Sequence, residues 1–262
     1  MNLSVILIGC NSLHYLKPNL ASLAFLYHDE TVEIIYIDNA SKDGTQDYIR
    51  QHYPKIRMIE NRRNRGVSAA RNQGIREATG KYVWLLDSDT EVNPAAVVAM
   101  QQLLDTHPDV ALCGCKMYGT DGEVQDSCRH FPSLTGKLSA GLQIIAVKFD
   151  LPIPHPDAHY DKFAPQPFAV DYVIGACQMF RRSIIEKVGL LDEKIFYGPE
   201  DADFCLRIRQ AGYKVYYLPQ VSIFHAYRRV SSHHIFSRLT FKHIQGLIYY
   251  FMKHRAIGRG KI

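Results

Sequence analysis

Apolar residues rich in Val, Ile, Leu and Tyr cluster at Ser4–Ile8, Val32–Ile37, Ile56–Ile59, Lys81–Leu86 and Val110–Cys115. Runs of this length read as strands, and helical spacing separates most of them, the alternation of a largely parallel sheet covered on both faces. Asn93-Pro94 predicts a helix start, with a capping side chain and proline at the first helical position. Ser183-x-x-Glu186 predicts a capping box, and the helix that follows Asp203 is expected to end at Gly212. From about Asp121 to Pro167 the alternation weakens, and Pro152, Pro154, Pro156, Pro165 and Pro167 gather among histidines and aromatics. A long surface excursion is expected there, of the kind that serves as a binding loop or lid. A second βα block follows from Val170 to about Leu218. Over Arg238–Arg255, residues Leu239, Ile244, Leu247, Ile248 and Phe251 return at helical spacing. That segment is too short and too charged to span a bilayer; it either lies in a membrane interface or packs on the domain. No internal repeat or low-complexity tract is present.

With 262 residues, 47% of them hydrophobic, the chain can bury a sizeable core without stapling. Its six cysteines are scattered and lack zinc-site spacing, so they read as reduced, mostly buried thiols. Met1-Asn2-Leu3 runs directly into an apolar strand with no basic leader, which points to a cytoplasmic location. Charge is unevenly spread. No acidic residue follows Asp203, whereas eleven Lys and Arg do; residues 1–203 hold the other twenty basic residues against all 26 acidic ones, a net of −6. Such asymmetry suggests an anionic partner for the C-terminal part. Its bases interleave with an amphipathic apolar face rather than a stacking platform, which favours an acidic lipid surface over nucleic acid.

In an open α/β sheet the ligand crevice lies beyond the carboxyl ends of the strands. Three such ends are polar: Gly9-Cys10-Asn11, Asp38-Asn39 and Asp87-Ser88-Asp89. A lone aspartate there is usually a turn former or helix N-cap. Two aspartates flanking Ser88 repel unless a cation joins them, and Mn or Mg, which prefer oxygen ligands, suits that task beside a nucleotide's phosphates. No phosphate loop of the kinase or dinucleotide type is present. The stretch from Asn64 to Asn72 feeds a small-residue helix whose Arg71 either meets an anionic or nucleobase ligand or is merely solvated. Glu200, Asp201 and Asp203 open a helix, where the dipole favours acids and where a carboxylate is also placed to take a proton.

Together these segments resemble family 2 glycosyltransferases of the GT-A fold, particularly the bacterial rhamnosyltransferase-like branch. The resemblance runs through Ser4–Ile8 with Asn11-Ser12, Ile37 to Thr45, Asn64 to Gly74, Leu85 to Asp89, Gly175-Ala176 with Arg181-Arg182, Leu191-Asp192-Glu193, Glu200-Asp201-x-Asp203-x-Cys205-x-Arg207, Ala211-Gly212-Tyr213 and His225. It implies a nucleotide-diphospho-sugar transferase domain over residues 1–225, with a nucleotide-sugar half at 1–120 and an acceptor half at 121–225. A basic amphipathic tail follows at 226–262. Asn11, Asp38, Asn64, Arg71, Asp87 and Ser88 are then expected at the donor, Asp89 and His225 at a divalent metal, and Glu200, Gly175 and Ala176 at the acceptor. Asp201 is expected as the base of an inverting displacement. The chain departs from the family at Gly9-Cys10, where an aromatic residue is frequent, so base recognition is expected to differ. Asp121-Gly122 and Cys128–Pro132 hint at dTDP-rhamnose, with a UDP-hexose as rival, and a saccharide or lipid-linked saccharide is the implied acceptor. A non-catalytic nucleotide-binding module at a membrane surface and a sugar nucleotidyltransferase remain the alternatives.

Overall fold

The computed structural model describes residues 1–133, 160–226 and 237–254. Prolines Pro152, Pro154 and Pro156 and tail bases Arg228, Arg229, Arg255, Arg259 and Lys261 lie outside the described residues. The expected strands form as β1 (Leu3–Gly9), β2 (Val32–Asp38), β3 (Arg57–Glu60), β4 (Tyr82–Asp87) and β6 (Val110–Tyr118), each shifted from its sequence expectation by at most a few residues. Shorter strands join them: β5 (Thr90–Glu91), β7 (Cys128–Arg129), β8 (Phe168–Val170), β9 (Tyr172–Val173) and β10 (Cys177–Arg181), with the long β11 (Lys214–His225) last.

One sheet runs in the order β3-β2-β1-β4-β10-β6-β11-β5, with β8 also on β11; β7 and β9 pair separately. The long ladders are parallel, β1 with β2 and β4, β2 with β3, and β6 with β11. The antiparallel β10 is wedged between β4 and β6. Between Leu218 and Ser222 the register of β11 shifts, at Pro219, where a missing N–H could not serve a continuous ladder. The strand then runs on past β6 and pairs His225 with Thr90 of β5.

Alternation within the central strands explains why both faces are covered. Val5, Leu7, Tyr36, Trp84 and Leu86 join one core cluster, and Ile6, Ile35, Ile37, Val83 and Leu85 the other. Helices α1 (Leu13–Ser22), α3 (Thr45–His52) and α5 (Pro94–Thr106) supply the first face through Leu16, Leu20, Ile49, Met100 and Leu104. A short α2 (Ala24–Tyr27) adds Leu26. On the second face lie α4 (Val67–Glu77), α6 (Ile184–Val188) and α7 (Glu200–Gln210), with Ala70, Ile75, Ile184, Phe204 and Leu206. Gly74 lets α4 approach β1, for a Cβ there would lie 2.5 Å from the Ile6 side chain.

Asn93 caps α5 as expected, its side chain accepting from the Ala95 N–H at 3.0 Å. The capping box at Ser183 does not form: Ser183 has helical backbone angles and caps nothing, because α6 is a single tight turn entered directly from β10. Helix α7 gives way at Ala211, and Gly212 takes a positive φ of 85°, the left-handed turn expected of it. The last helix, α8 (Arg238–Lys253), packs on the domain by burying Gly246 and Tyr250. Five of the six cysteines are buried, and Cys10 is exposed. Among the described residues no helix is long and apolar enough to cross a membrane.

Candidate active site

The carboxyl ends of β1, β2 and β4 meet side by side, Gly9 level with Asp38 and Ile8 with Asp87. At β2, Asp38 is wholly buried; one of its carboxylate oxygens accepts from Ser41 N–H (3.0 Å) and Gln46 Nε2 (2.7 Å). Its other oxygen is buried without a partner, and a pocket of about 240 Å³ opens beside it, lined also by Ser41, Gln46, Asn61 and Arg62. A buried acceptor left unpaired is costly unless a ligand supplies the donor. Asn11 adopts a left-handed φ of 52°, its Oδ1 accepting the Lys42 N–H at 2.7 Å, which ties the end of β1 to the rim of that pocket. Asn64 acts from farther out. Its Oδ1 accepts from Asn39 Nδ2 (3.0 Å) and from the Gly66 N–H (2.9 Å), shaping the turn into α4.

After β4 the chain turns through Asp87-Ser88-Asp89 into β5. The Asp87 N–H donates to the Ala176 carbonyl (3.1 Å), and the Ser88 hydroxyl to that of Ser12 (3.0 Å). Because β11 ends against β5, His225 arrives opposite the turn: Asp87, Asp89 and His225 offer ligand atoms within 4.8 Å of one another. His225 Nε2 lies 3.5 Å from Asp89 Oδ1. Gln125 fixes the ring from behind. Its Nε2 donates to the His225 carbonyl (2.9 Å), so its Oε1 is the atom facing Nδ1 at 2.8 Å, and Nδ1 carries the proton. Burial draws the His225 pKa down, but the hydrogen bond and charge of Asp89, helped by Asp87, hold it above the usual histidine value. The pair of carboxylates thus draws positive charge to Nε2, a demand that a divalent cation meets equally well. Two carboxylates and an oriented imidazole are a donor set that fits a divalent metal.

Arg71 links this triad to α7. Only 3% exposed, it donates from Nη2 to Asp87 (2.7 Å) and the Gly175 carbonyl (2.8 Å), and from Nη1 to Glu200 (3.2 Å). A solvated arginine is therefore excluded, and these hydrogen bonds all run to protein groups. Glycine at 175 makes room for the guanidinium, since a Cβ there would lie 2.3 Å from Arg71 Nη1 and displace it. Its N–H donates to Asp201 Oδ2 (3.0 Å), while Asp201 Oδ1 accepts from the Ala202 N–H (2.8 Å). Gly175 and Ala176, expected at the acceptor, are buried and act through their backbones as the hub joining Asp201, Arg71 and Asp87. Glu200 is buried with Oε2 unpartnered. Burial and then the charge of Asp201 push its pKa up to about 7, against the opposing pull of Arg71.

Asp203 belongs elsewhere. Wholly buried, it accepts from Arg207 Nε (2.9 Å), Lys253 Nζ (2.7 Å) and His254 Nε2 (2.8 Å), latching α8 onto α7. Burial alone would raise its pKa, but His254, Arg207 and Lys253 pull it down to about 2. Sequence reading missed Gln46, which holds Asp38, and Gln125, which aims His225. Gln125 lies 100 residues from its partner in a stretch without periodicity, and no local signal marks it.

The glycosyl transferase family 2 model matches residues 4–189. N-acetylglucosaminyl-diphospho-decaprenol L-rhamnosyltransferase of Mycobacterium tuberculosis is 27% identical over 223 residues, 80% of this chain and 71% of that protein. The dTDP-rhamnosyl transferase RfbF of Shigella flexneri is 22% identical over 211 residues, 79% of this chain and 64% of its own length. Among solved structures, mannosyltransferase PcManGT from Pyrobaculum calidifontis, in complex with GDP-Man and Mn2+, superposes with a TM-score of 0.66 at 20% identity, covering 99% of this chain and 65% of that one. That likeness establishes the GT-A fold.

Proposed function

The chain belongs to glycosyl transferase family 2, and on that premise we propose that it is a metal-dependent inverting transferase. It moves rhamnose from dTDP-rhamnose to a lipid-linked saccharide in bacterial surface-polysaccharide synthesis, at the inner face of the plasma membrane. The observation that carries this reading is the unbroken chain of contacts from Asp201 through Gly175 and Arg71 to Asp87, which ties a candidate base to a candidate metal triad. The names of the two rhamnosyl relatives support the donor.

The nucleoside enters the pocket at Asp38, whose unpartnered oxygen accepts from the base or ribose. Asp89 and His225 would hold the metal, with Asp87, the third member of the cluster, reaching towards the ribose or the metal's water shell and Ser88 beside the donor. A divalent cation there supplies the positive charge that stabilises the departing diphosphate. Asp201 takes the proton of the acceptor hydroxyl as that oxygen attacks the anomeric carbon and the diphosphate leaves, inverting the configuration. Each Asp201 oxygen already accepts one backbone N–H, which fixes the carboxylate and leaves a second lone pair for the acceptor. Glu200 and the Gly175-Ala176 backbone border the acceptor and keep Asp201 in register.

Calorimetry of dTDP, UDP and GDP with and without manganese tests the reading. Manganese-dependent preference for dTDP is expected, and preference for UDP would reassign the donor to a UDP-hexose. Asp201→Asn should lower transfer by ~100- to 10,000-fold while sparing nucleotide binding. No binding of any nucleotide, or equal loss of binding and transfer in Asp201→Asn, would overturn it.

A further inference from the structure

Helix α8 carries two apolar faces. Tyr250 lies in the second core, 2% exposed, and a Cβ at Gly246 would sit 2.4 Å from the Gly198 carbonyl oxygen, so that face meets the domain closely. Its end is latched by Lys253 and His254 on Asp203, and by Lys253 (2.7 Å) and Tyr249 (3.0 Å) on Asp192. On the other side Phe241, Ile244, Ile248 and Met252 are 60, 48, 56 and 57% exposed. Their spacing of three, four and four residues puts them on one stripe. Half of the eight large hydrophobics exposed among the described residues thus sit on this one helix, whereas the others are scattered.

Charge decides what covers the stripe. Arg238 and Lys242 are exposed, and at about 100° per residue Arg238 falls next to the stripe and Lys242 further round the same flank, towards the domain. No acidic residue occurs anywhere after Asp203, so a second copy of this helix would set base against base. An anionic lipid surface supplies the missing counter-charge and accepts the apolar side chains together. We propose that the outward face of α8, formed by Phe241, Ile244, Ile248 and Met252 with Arg238 and Lys242 alongside, docks the protein in the plane of an anionic bilayer.

The same helix presses on the loop that leads to the candidate base. His243 packs at Gly198, the Lys242 ammonium lies 5.8 Å from the centre of the Phe196 ring, and from the opposite side the Val67 N–H and the Ser68 hydroxyl hold the Phe196 and Ile195 carbonyls at 2.7 and 2.6 Å. Docking therefore sets the start of α7, with Glu200 and Asp201, one loop away from the lipid. The lipid contact stands on α8 alone; its use, presenting a membrane-held acceptor to Asp201, rests on the transferase reading.

Flotation of the full chain with phosphatidylcholine vesicles, with and without phosphatidylglycerol, tests this, alongside manganese-dependent nucleotide binding for every variant. The protein is expected to float with the anionic vesicles and to be released by salt. The double variant Ile244→Glu/Ile248→Glu should partition at least ~10-fold more weakly, and Arg238→Gln/Lys242→Gln about 30-fold more weakly, both with nucleotide binding intact. Absence of flotation, or equal flotation of the glutamate variant, overturns the docking proposal whatever the nucleotide result. A dimer in light scattering that Ile244→Glu/Ile248→Glu dissolves, without flotation, assigns the face to a second copy and overturns it too.

Discussion

Replacing Arg71 by methionine removes a guanidinium that is 3% exposed and shared by Asp87, Glu200 and the Gly175 carbonyl. Breaking a buried ion pair by deleting one partner costs ~3–5 kcal/mol, because the other charge is stranded. Asp87 has a side chain 31% exposed and can rehydrate, whereas that of Glu200 is 8% exposed, so the lower end, ~3 kcal/mol, is expected and falls mainly on Glu200. Its pH dependence identifies the cause. With Arg71 present, the folded-state pKa of Glu200 stands at about 7, above its ordinary 4.5, so stability falls as pH rises through that window and levels off beyond it. Without Arg71 the folded value climbs further, and Arg71→Met keeps losing up to ~1.4 kcal/mol per pH unit above pH 7 while the wild type does not. The stability gap therefore widens from about pH 7 to about pH 9. Urea unfolding followed by the fluorescence of Trp84, the one tryptophan of the chain and wholly buried, measures it directly. Adding Glu200→Gln should flatten the pH slope. A gap constant across this range, or a double variant with the slope of Arg71→Met, would refute the reasoning.

Asp89→Ala should abolish manganese-dependent nucleotide binding while the Trp84 unfolding transition persists; full binding with manganese present would discredit the metal triad. Gln125→Leu strips the acceptor from His225 Nδ1 and should weaken manganese binding ~10- to 100-fold, and an unchanged manganese titration would show that the ring needs no such support.

Strands β1, β2, β4 and β6 are legible because each is a dense apolar run, largely buried on both faces, that ends at a polar turn, whereas the short edge strand β3 is only partly buried. Strand β10 is not legible. Gln178 interrupts its apolar character, yet that side chain is buried, donating to the Val173 carbonyl at 2.8 Å, and nothing local reveals that the strand slots between β4 and β6. At the site, Asp38, Asp87, Asp89 and Asp201 stand out at element ends, and the family resemblance sorted their expected roles. The partners of Arg71 were hidden, since they lie 16, 104 and 129 residues away and meet only when α4, β4, β10 and α7 converge. The Ser183 motif shows the opposite error, a pattern that fits the rule but sits where the backbone is already helical.

The position of β10 also orders events on the ribosome. Strands β1, β2 and β3 can pair with one another as soon as they emerge, and the Asp38 pocket with them. β4 and β6 cannot be bridged until residues 177–181 have been made, and the Asp87 N–H waits as long for the Ala176 carbonyl. Until then the nascent chain exposes one open edge of β4 and, because β11 follows later still, both edges of β6, a template for pairing with other chains. Translation that stalls before Arg181 should leave a sticky fragment, one that chaperones must hold or proteases remove.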